Sequence, residues 1–205
     1  MIFEHIISAV APFACLGCKR EGSILCAGCQ AALPPNTFVG TGRAMPDYLA
    51  ATAYGDVAKD VVHALKFGRA QAAAGCIARV MADRIALPGG PWLVTHIPTA
   101  NSRVRLRGYD QARLIARHFA HYKGVPHASL LVRTGSARQV GANRADRFMQ
   151  ASTLFRATHL SLISQARILL VDDVITTGAS MHAASQVLME AGAQAVYPAA
   201  FARAE

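Results

Sequence analysis

No stretch of this 205-residue chain approaches 18 consecutive apolar residues, so the sequence encodes no transmembrane helix. Acidic residues are scarce, 12 against 21 Lys and Arg, and the resulting net charge of +9 suits nucleic acid, a polyphosphate ligand or a solvated Arg-rich face. No Ser/His/Asp set for nucleophilic catalysis is legible, no internal repeat is present, and the only compositional bias is Ala enrichment. With 53% apolar residues the chain can bury a sizeable core, which excludes global disorder. Residues 1–14 resemble a signal peptide superficially, but they lack a basic leader, carry Glu4 and run straight into cysteines, so the expected location is cytoplasmic.

The positive charge is concentrated. Between positions 101 and 147 lie ten basic residues and only Asp110 and Asp146 as acids, a surplus of eight out of the total of nine. Aromatics are few in and just after that segment (Tyr109, Phe119, Tyr122, Phe148), so an extended base-stacking platform is not evident there.

Cysteine is also sparing, five in all, yet four are spaced Cys15-x2-Cys18-x7-Cys26-x2-Cys29. Each CxxC puts two thiolates on one tight turn, and two such turns complete a tetrahedral soft-ligand shell for zinc. Redox CxxC pairs do not usually come as doublets, and a disulfide framework is out of place in a cytosolic chain. A structural zinc site on Cys15, Cys18, Cys26 and Cys29 is therefore expected, with no open position for catalysis. Cys76, in an Ala-rich helical stretch, reads as a small core residue.

Residues 1–46 read as an N-terminal segment holding the cysteine module and a Pro/Gly/Thr connector, and residues 47–205 as a second, larger domain. From Tyr48 onward, strand and helix patterns alternate: a strand over 49–54, a helix capped by Asp56, a helix over about 70–87, a strand over 92–98, a helix over 109–121 and a strand over 130–133. A strand at 168–171 with its helix and a closing strand over 195–201 complete the series. This alternation predicts an α/β fold with a parallel sheet flanked by helices.

The most chemical segment runs from 168 to 180. Ile168, Leu169, Leu170 and Val171 form a short apolar run, as in a strand buried on both faces. Asp172 and Asp173 follow where that strand is expected to end, then Thr176, Thr177, Gly178, Ala179 and Ser180 lead into a helix. Ligands of open parallel sheets bind beyond the carboxyl ends of strands, helix starts favour phosphate, and carboxylates accept hydrogen bonds from sugar hydroxyls. Taken singly, an Asp-Asp pair reads as a solvated turn; the whole string resembles the PRPP-binding signature of the type I phosphoribosyltransferases. That resemblance implies ribose binding by Asp172 and Asp173 and 5-phosphate binding by Thr176, Thr177, Gly178, Ala179 and Ser180.

After the strand over 92–98 comes a basic segment, read as a loop, with Thr99, Arg103, Arg105 and Arg107. It lies on the same sheet edge, where a phosphoribosyltransferase holds pyrophosphate with Mg²⁺. Arg107, Gly108, Tyr109, Asp110, Gln111 and Ala112 resemble the Arg-Gly-Phe-Asn-Gln-Ala box of the ComF family, which also opens with a four-cysteine zinc motif. His63, Ala64, Leu65, Lys66 and Phe67 match a further box of that family. Arg133, Gln139, Arg144, Arg147 and Phe155 fit another loosely, with Gly141, Ala142, Arg138 and Gln150 departing from its pattern. Lys66, Arg133, Gln139, Arg144 and Arg147 stand as residues of a mobile flap over PRPP, a DNA contact or a surface ion-pair network. The resemblance implies a type I phosphoribosyltransferase-like sheet with a small zinc module, and PRPP with Mg²⁺ as ligand. It also implies a role in DNA uptake on single-stranded DNA beside a helicase or recombination protein. A phosphoribosyltransferase with an unknown acceptor and a non-catalytic PRPP sensor remain as alternatives.

Overall fold

The computed structural model describes residues 13–35, 48–68, 70–134 and 154–204. A four-stranded, wholly parallel sheet in the order β1-β6-β5-β2 forms its centre: β1 Leu49–Ala53, β6 Ala195–Arg203, β5 Arg167–Ile175 and β2 Leu93–His96. Helices cover both faces, which is the α/β architecture expected from the strand–helix alternation and implied by the resemblance. Alternate residues of β5 explain why. Leu169 and Val171 join the core under α2 (Asp56–Phe67), α3 (Ala72–Arg84) and α5 (Gln111–Lys123). Ile168 and Leu170 join the core under α7 (Ala179–Glu190). All four are fully buried, and burial of each such side chain contributes roughly 1.5–3 kcal/mol.

A shorter antiparallel ribbon, β3 (Leu131–Arg133) with β4 (Phe155–Ala157), stands apart from this sheet. The strand expected over 130–133 therefore exists but does not join the parallel set, and its partner was not anticipated. Neither was the four-residue helix α6 (Leu160–Ile163). Three further expectations are corrected. Asp56 does not cap α2, because Gly55 is the N-cap and makes no side-chain capping bond. The basic segment after β2 is not a loop: Asn101–Arg107 form a helix, α4, stopped by Gly108 in the left-handed region at φ 84°. Arg and Leu are good helix formers, and Arg105 and Arg107 in its last turn complement the helix dipole. Finally, β5 does not end at Val171 but carries Asp172 and Asp173 within it, because β6 goes on pairing with it as far as Ile175 opposite Arg203.

The cysteine segment packs on the same core as the sheet. Cys15, Ile24, Leu25 and Leu33 are buried together with residues of α2 and α3. One side chain, Arg84 at the end of α3, ties it down. Its guanidinium donates to the carbonyls of Gln30 (3.0 Å) and Leu33 (2.9 Å) at the end of α1 (Ala27–Ala32), and of Ala51 in β1 (3.0 Å). The Leu33 amide also donates to the Gln30 carbonyl, and a cation placed there completes the hydrogen bonding of these helix-end carbonyls and complements the helix dipole. Arg84→Ala is expected to destabilise the protein by about 2–3 kcal/mol, the scale of losing hydrogen bonds to a charged donor and leaving buried carbonyls unpaired. Urea unfolding measures it, and Arg84→Lys should recover only part, since an ammonium lacks the planar fork.

Candidate functional site

The site forms where β2 stops. His96 is the last β2 residue to pair with β5, opposite Val171, and the next amide, Ile97, donates to the Val171 carbonyl at 3.0 Å. Beyond that point β5 keeps β6 on one side and loses its neighbour on the other. Pro98, Thr99 and Ala100 peel away there, and a cleft of about 720 Å³ opens, lined by Lys66, Thr99, Ser102, Arg103, Gln111, Arg133, Asp172, Asp173 and Ser180 among others. The cleft therefore lies at the carboxyl edge of the parallel strands, the position at which open α/β sheets take ligands.

The pleat sends the two carboxylates to opposite faces. Asp173 shares a face with Val171, towards α2, where the Lys66 ammonium reaches its Oδ1 at 2.9 Å; the Asp173 side chain is only 6% exposed. Its other oxygen, Oδ2, is buried without a hydrogen-bond partner. Asp172 shares a face with Leu170, towards α7, and its Oδ1 accepts the Asp173 amide at 2.8 Å. Burial, reinforced by the neighbouring Asp173 carboxylate, pushes the Asp172 carboxyl well above the usual carboxylate range. Such a pair costs stability, and a strongly perturbed carboxyl in a cleft is a candidate for ligand chemistry.

Asp172 also borders a second, smaller hollow of about 70 Å³, lined by Thr176, Thr177, Gly178, Ala179 and Ser180 at the start of α7. Gly178, the N-cap, has φ 72°, a conformation that a side chain would strain. The first turn of α7 leaves amides free of intrahelical partners, which suits an anion.

The structure gathers Thr99, Arg103, Lys66 and Arg133 around the main cleft with both carboxylates. Burial and the nearby Arg103 both disfavour charge on Arg133, and Asp172 partly offsets them. Thr99 is held by a residue whose part was not foreseen. Asp110, the N-cap of α5, accepts from the Thr99 amide (2.9 Å), the Thr99 hydroxyl (3.0 Å) and the Arg113 amide (3.1 Å). An Asp just before a helical pattern was the available signal. Gln111 was not singled out either; it is buried on the cleft wall with Oε1 unpaired. Arg105 is exposed, and Arg107 lines a different cavity with Lys66, Phe67, Leu106 and Tyr109. Gln139, Arg144 and Arg147 lie outside the described residues.

Away from the cleft, Cys15, Cys18, Cys26 and Cys29 bring their sulfurs within 4.8 Å of one another, with Cys18 and Cys26 3.7 Å apart. A tetrahedron with Zn–S bonds of about 2.3 Å has edges of about 3.8 Å, so the donor set fits a metal ion such as zinc. Burial alone would push the Cys15 thiol up, but the amides of Cys26, Cys18 and Gly17 outweigh it and bring the thiol down to about 6. Cys29, crowded first by Cys26 and then by Cys15, is held up to about 12. Gly17 is obligatory here, since a Cβ on it would stand 2.6 Å from the Cys29 sulfur.

No family model matches the chain. Among curated proteins it is similar to competence protein F of Haemophilus influenzae, 28% identical over 117 residues, covering 56% of this chain and 51% of that protein. The DNA utilization protein YhgH of Salmonella typhi is 27% identical over 143 residues, 66% of this chain and 63% of that one. Competence protein ComFC of Bacillus subtilis is 29% identical over 105 residues, 51% of this chain and 41% of that one. The chain thus spans between 41% and 63% of the length of these relatives. Among solved structures, an allosteric regulatory enzyme of purine biosynthesis is similar at 20% identity and a TM-score of 0.43, over 62% of this chain and 25% of that one. Adenine phosphoribosyltransferase from Leishmania tarentolae is similar at 13% identity and a TM-score of 0.42, over 88% of each chain. No described helix is long and apolar enough to cross a membrane.

Two measurements test the geometry. Because the fold favours the protonated Asp172, the native state keeps a proton that the unfolded chain loses above its ordinary carboxylate pKa, so stability falls as pH rises through that window. Asp172→Asn, which keeps the bond from the Asp173 amide, should melt higher than the wild type at pH 7, with the difference vanishing near pH 3. At the cysteines, Gly17→Ala is expected to weaken zinc binding about ten- to a hundredfold, as for other groups that orient metal ligands. Competition with a chromophoric chelator reads that loss.

Proposed function

For a chain distantly homologous to competence protein F, ComFC and YhgH, we propose that the cleft binds 5-phosphoribosyl 1-pyrophosphate and that the protein serves DNA uptake. The observation that carries this reading is the juxtaposition at one sheet edge of two carboxylates, a helix-start hollow and a cationic wall. The 5-phosphate lies on the amides from Thr176 to Ser180, the ribose diol on Asp172 and Asp173, and the pyrophosphate against Thr99 and Arg103 with Arg105 adding charge from the same helix. Lys66, paired with Asp173, adds positive charge on the pyrophosphate side. Mg²⁺, bound with the pyrophosphate, supplies further neutralisation. The hydrogen-bonded Asp110 holds Thr99 in place, so its loop meets the ligand preorganised.

A ribose cation developing at the anomeric carbon as pyrophosphate leaves would face the Asp173 carboxylate, which favours it electrostatically. Transfer to an acceptor requires no protein nucleophile, so the missing Ser/His/Asp set does not count against chemistry at this cleft. Pyrophosphate release that depends on a second substrate marks a transferase, and binding without turnover marks a sensor. The relatives' names, competence and DNA utilization, support an acceptor or partner in DNA metabolism, with single-stranded DNA meeting the Arg-rich surface of α4. Zinc on the four cysteines is structural in this reading, holding the module that packs on α2 and α3.

Calorimetry with PRPP and Mg²⁺ tests the assignment. The double variant Asp172→Ala, Asp173→Ala, folded by its melting curve, is expected to bind at least about 100-fold more weakly, since it loses two charge-assisted contacts. Unchanged affinity would overturn the ribose assignment. For the DNA role, the salt dependence of single-strand binding should fall in slope by about 1.4 when Arg103 and Arg105 are both replaced by Gln. Binding that ignores salt would sink it.

A further inference from the structure

Beside the cleft lies a smaller cavity of about 260 Å³, bounded by Lys66, Phe67, Leu106, Arg107 and Tyr109. Lys66 lines both, but the chemistry proposed for the cleft makes no use of the smaller one. Its walls combine features that seldom meet at a water-facing surface. Phe67 is 61% exposed and Leu106 76%. These are two of only six large apolar side chains exposed among the described residues, and both border this cavity. Single exposed apolar residues are ordinary, but two converging on one hollow beside two cations indicate a ligand.

The polar side of the cavity is equally specific. The Arg107 guanidinium stands 5.3 Å from the centre of the Phe67 ring. Its Nε and Nη1 are shielded from solvent and make no hydrogen bond. Arg107 ends α4, and the left-handed Gly108 turns the chain so that Tyr109 comes back against α2. There the Tyr109 hydroxyl donates to the Leu65 carbonyl, one residue before Lys66, which locks the ring as a rigid wall. Burial raises the Tyr109 phenol above its ordinary value, so it remains a neutral donor at physiological pH.

We propose that this cavity is a nucleotide site, in which a base lies on Phe67 between Leu106 and Tyr109 and its phosphate is met by Arg107 and Lys66. A base offers flat apolar faces for stacking, and a phosphate satisfies the guanidinium bidentately. An aliphatic ligand would leave the guanidinium unpaired, and a bare inorganic anion would leave Phe67 and Leu106 in water. The nucleotide is either free or one unit of a single strand, since both present the same chemistry. The site needs no PRPP in the neighbouring cleft and stands if that reading fails.

The test compares five ligands on the full chain: a fluorescent deoxyadenosine oligomer, an abasic strand of equal length and charge, dAMP, adenosine, and PRPP with Mg²⁺. Phe67→Ala, at an exposed position that should not disturb folding, is expected to lose about tenfold in affinity for the base-bearing oligomer or for dAMP. Its binding of the abasic strand and of PRPP should match the wild type, and Phe67→Trp should recover the loss. Arg107→Gln should weaken dAMP and the oligomer but not adenosine. Phe67-dependent binding of dAMP assigns the site to free nucleotides; dependence seen only with the oligomer assigns it to a strand. If the wild type binds intact and abasic strands alike and takes up no dAMP, or if Phe67→Ala costs nothing with either ligand, the proposal is wrong. A wild type that binds dAMP but not PRPP separates failure of the cleft assignment from failure of this one.

Discussion

The ion pair between Lys66 and Asp173 is the contact on which the arrangement of this protein turns. It joins the end of α2 to β5, a strand buried on both faces, at the point where that strand loses a neighbour. A carboxylate as buried as Asp173 is tolerable only with a partner, and removing either member of such a pair costs about 3–5 kcal/mol. The pair therefore fixes where α2 ends against the sheet, and with it both walls that Lys66 shares, the cleft on one side and the Phe67 cavity on the other. Asp172, on the opposite face, has no cation in contact among the described residues and is left as the carboxyl that burial pushes towards neutrality. Adjacent residues of one strand thus acquire different electrostatic characters because the pleat gives them different surroundings.

The cysteine module belongs to this same framework. Leu25 and Leu33 sit in the core with α2 and α3, and Arg84 binds the carboxyl end of α1 to β1. A module anchored in this way stiffens the start of α2, whose other end carries Lys66. Hydrophobic burial and helix-end satisfaction therefore act in one direction. The basic helix α4 contrasts with it: short, with Leu106 exposed and none of its residues buried, it presents charge outward from the rim of the site.

Much of this was legible in the residues, and what was missed has physical causes. The run from Ile168 to Val171 announced a doubly buried strand, and the spacing of Cys15, Cys18, Cys26 and Cys29 announced four converging thiols. Both signals are local, set by the pleat and by the tight turn. The strand was nevertheless read as ending at Val171, because carboxylates are expected in loops; pairing with β6 keeps it extended to Ile175. Charge likewise disguised α4 as a loop, although the helix propensity of Arg and Leu pointed the other way. The antiparallel ribbon was invisible because strands as short as Leu131–Arg133 and Phe155–Ala157 carry too few residues for a period to show.

By itself, then, the sequence determined the α/β alternation, the four converging cysteines and the segment where two carboxylates precede a helix start, since each depends on near neighbours along the chain. Only the tertiary structure decided that β2 stops one residue short of Asp172, opening a cleft there, and that Lys66 neutralises Asp173 and not Asp172. It alone placed Arg103 in that cleft and Arg107 in another cavity, and made Asp110 the anchor of Thr99. Each of these depends on which strand and which helix lie alongside. That is a matter of packing between segments tens of residues apart, which local spacing does not encode.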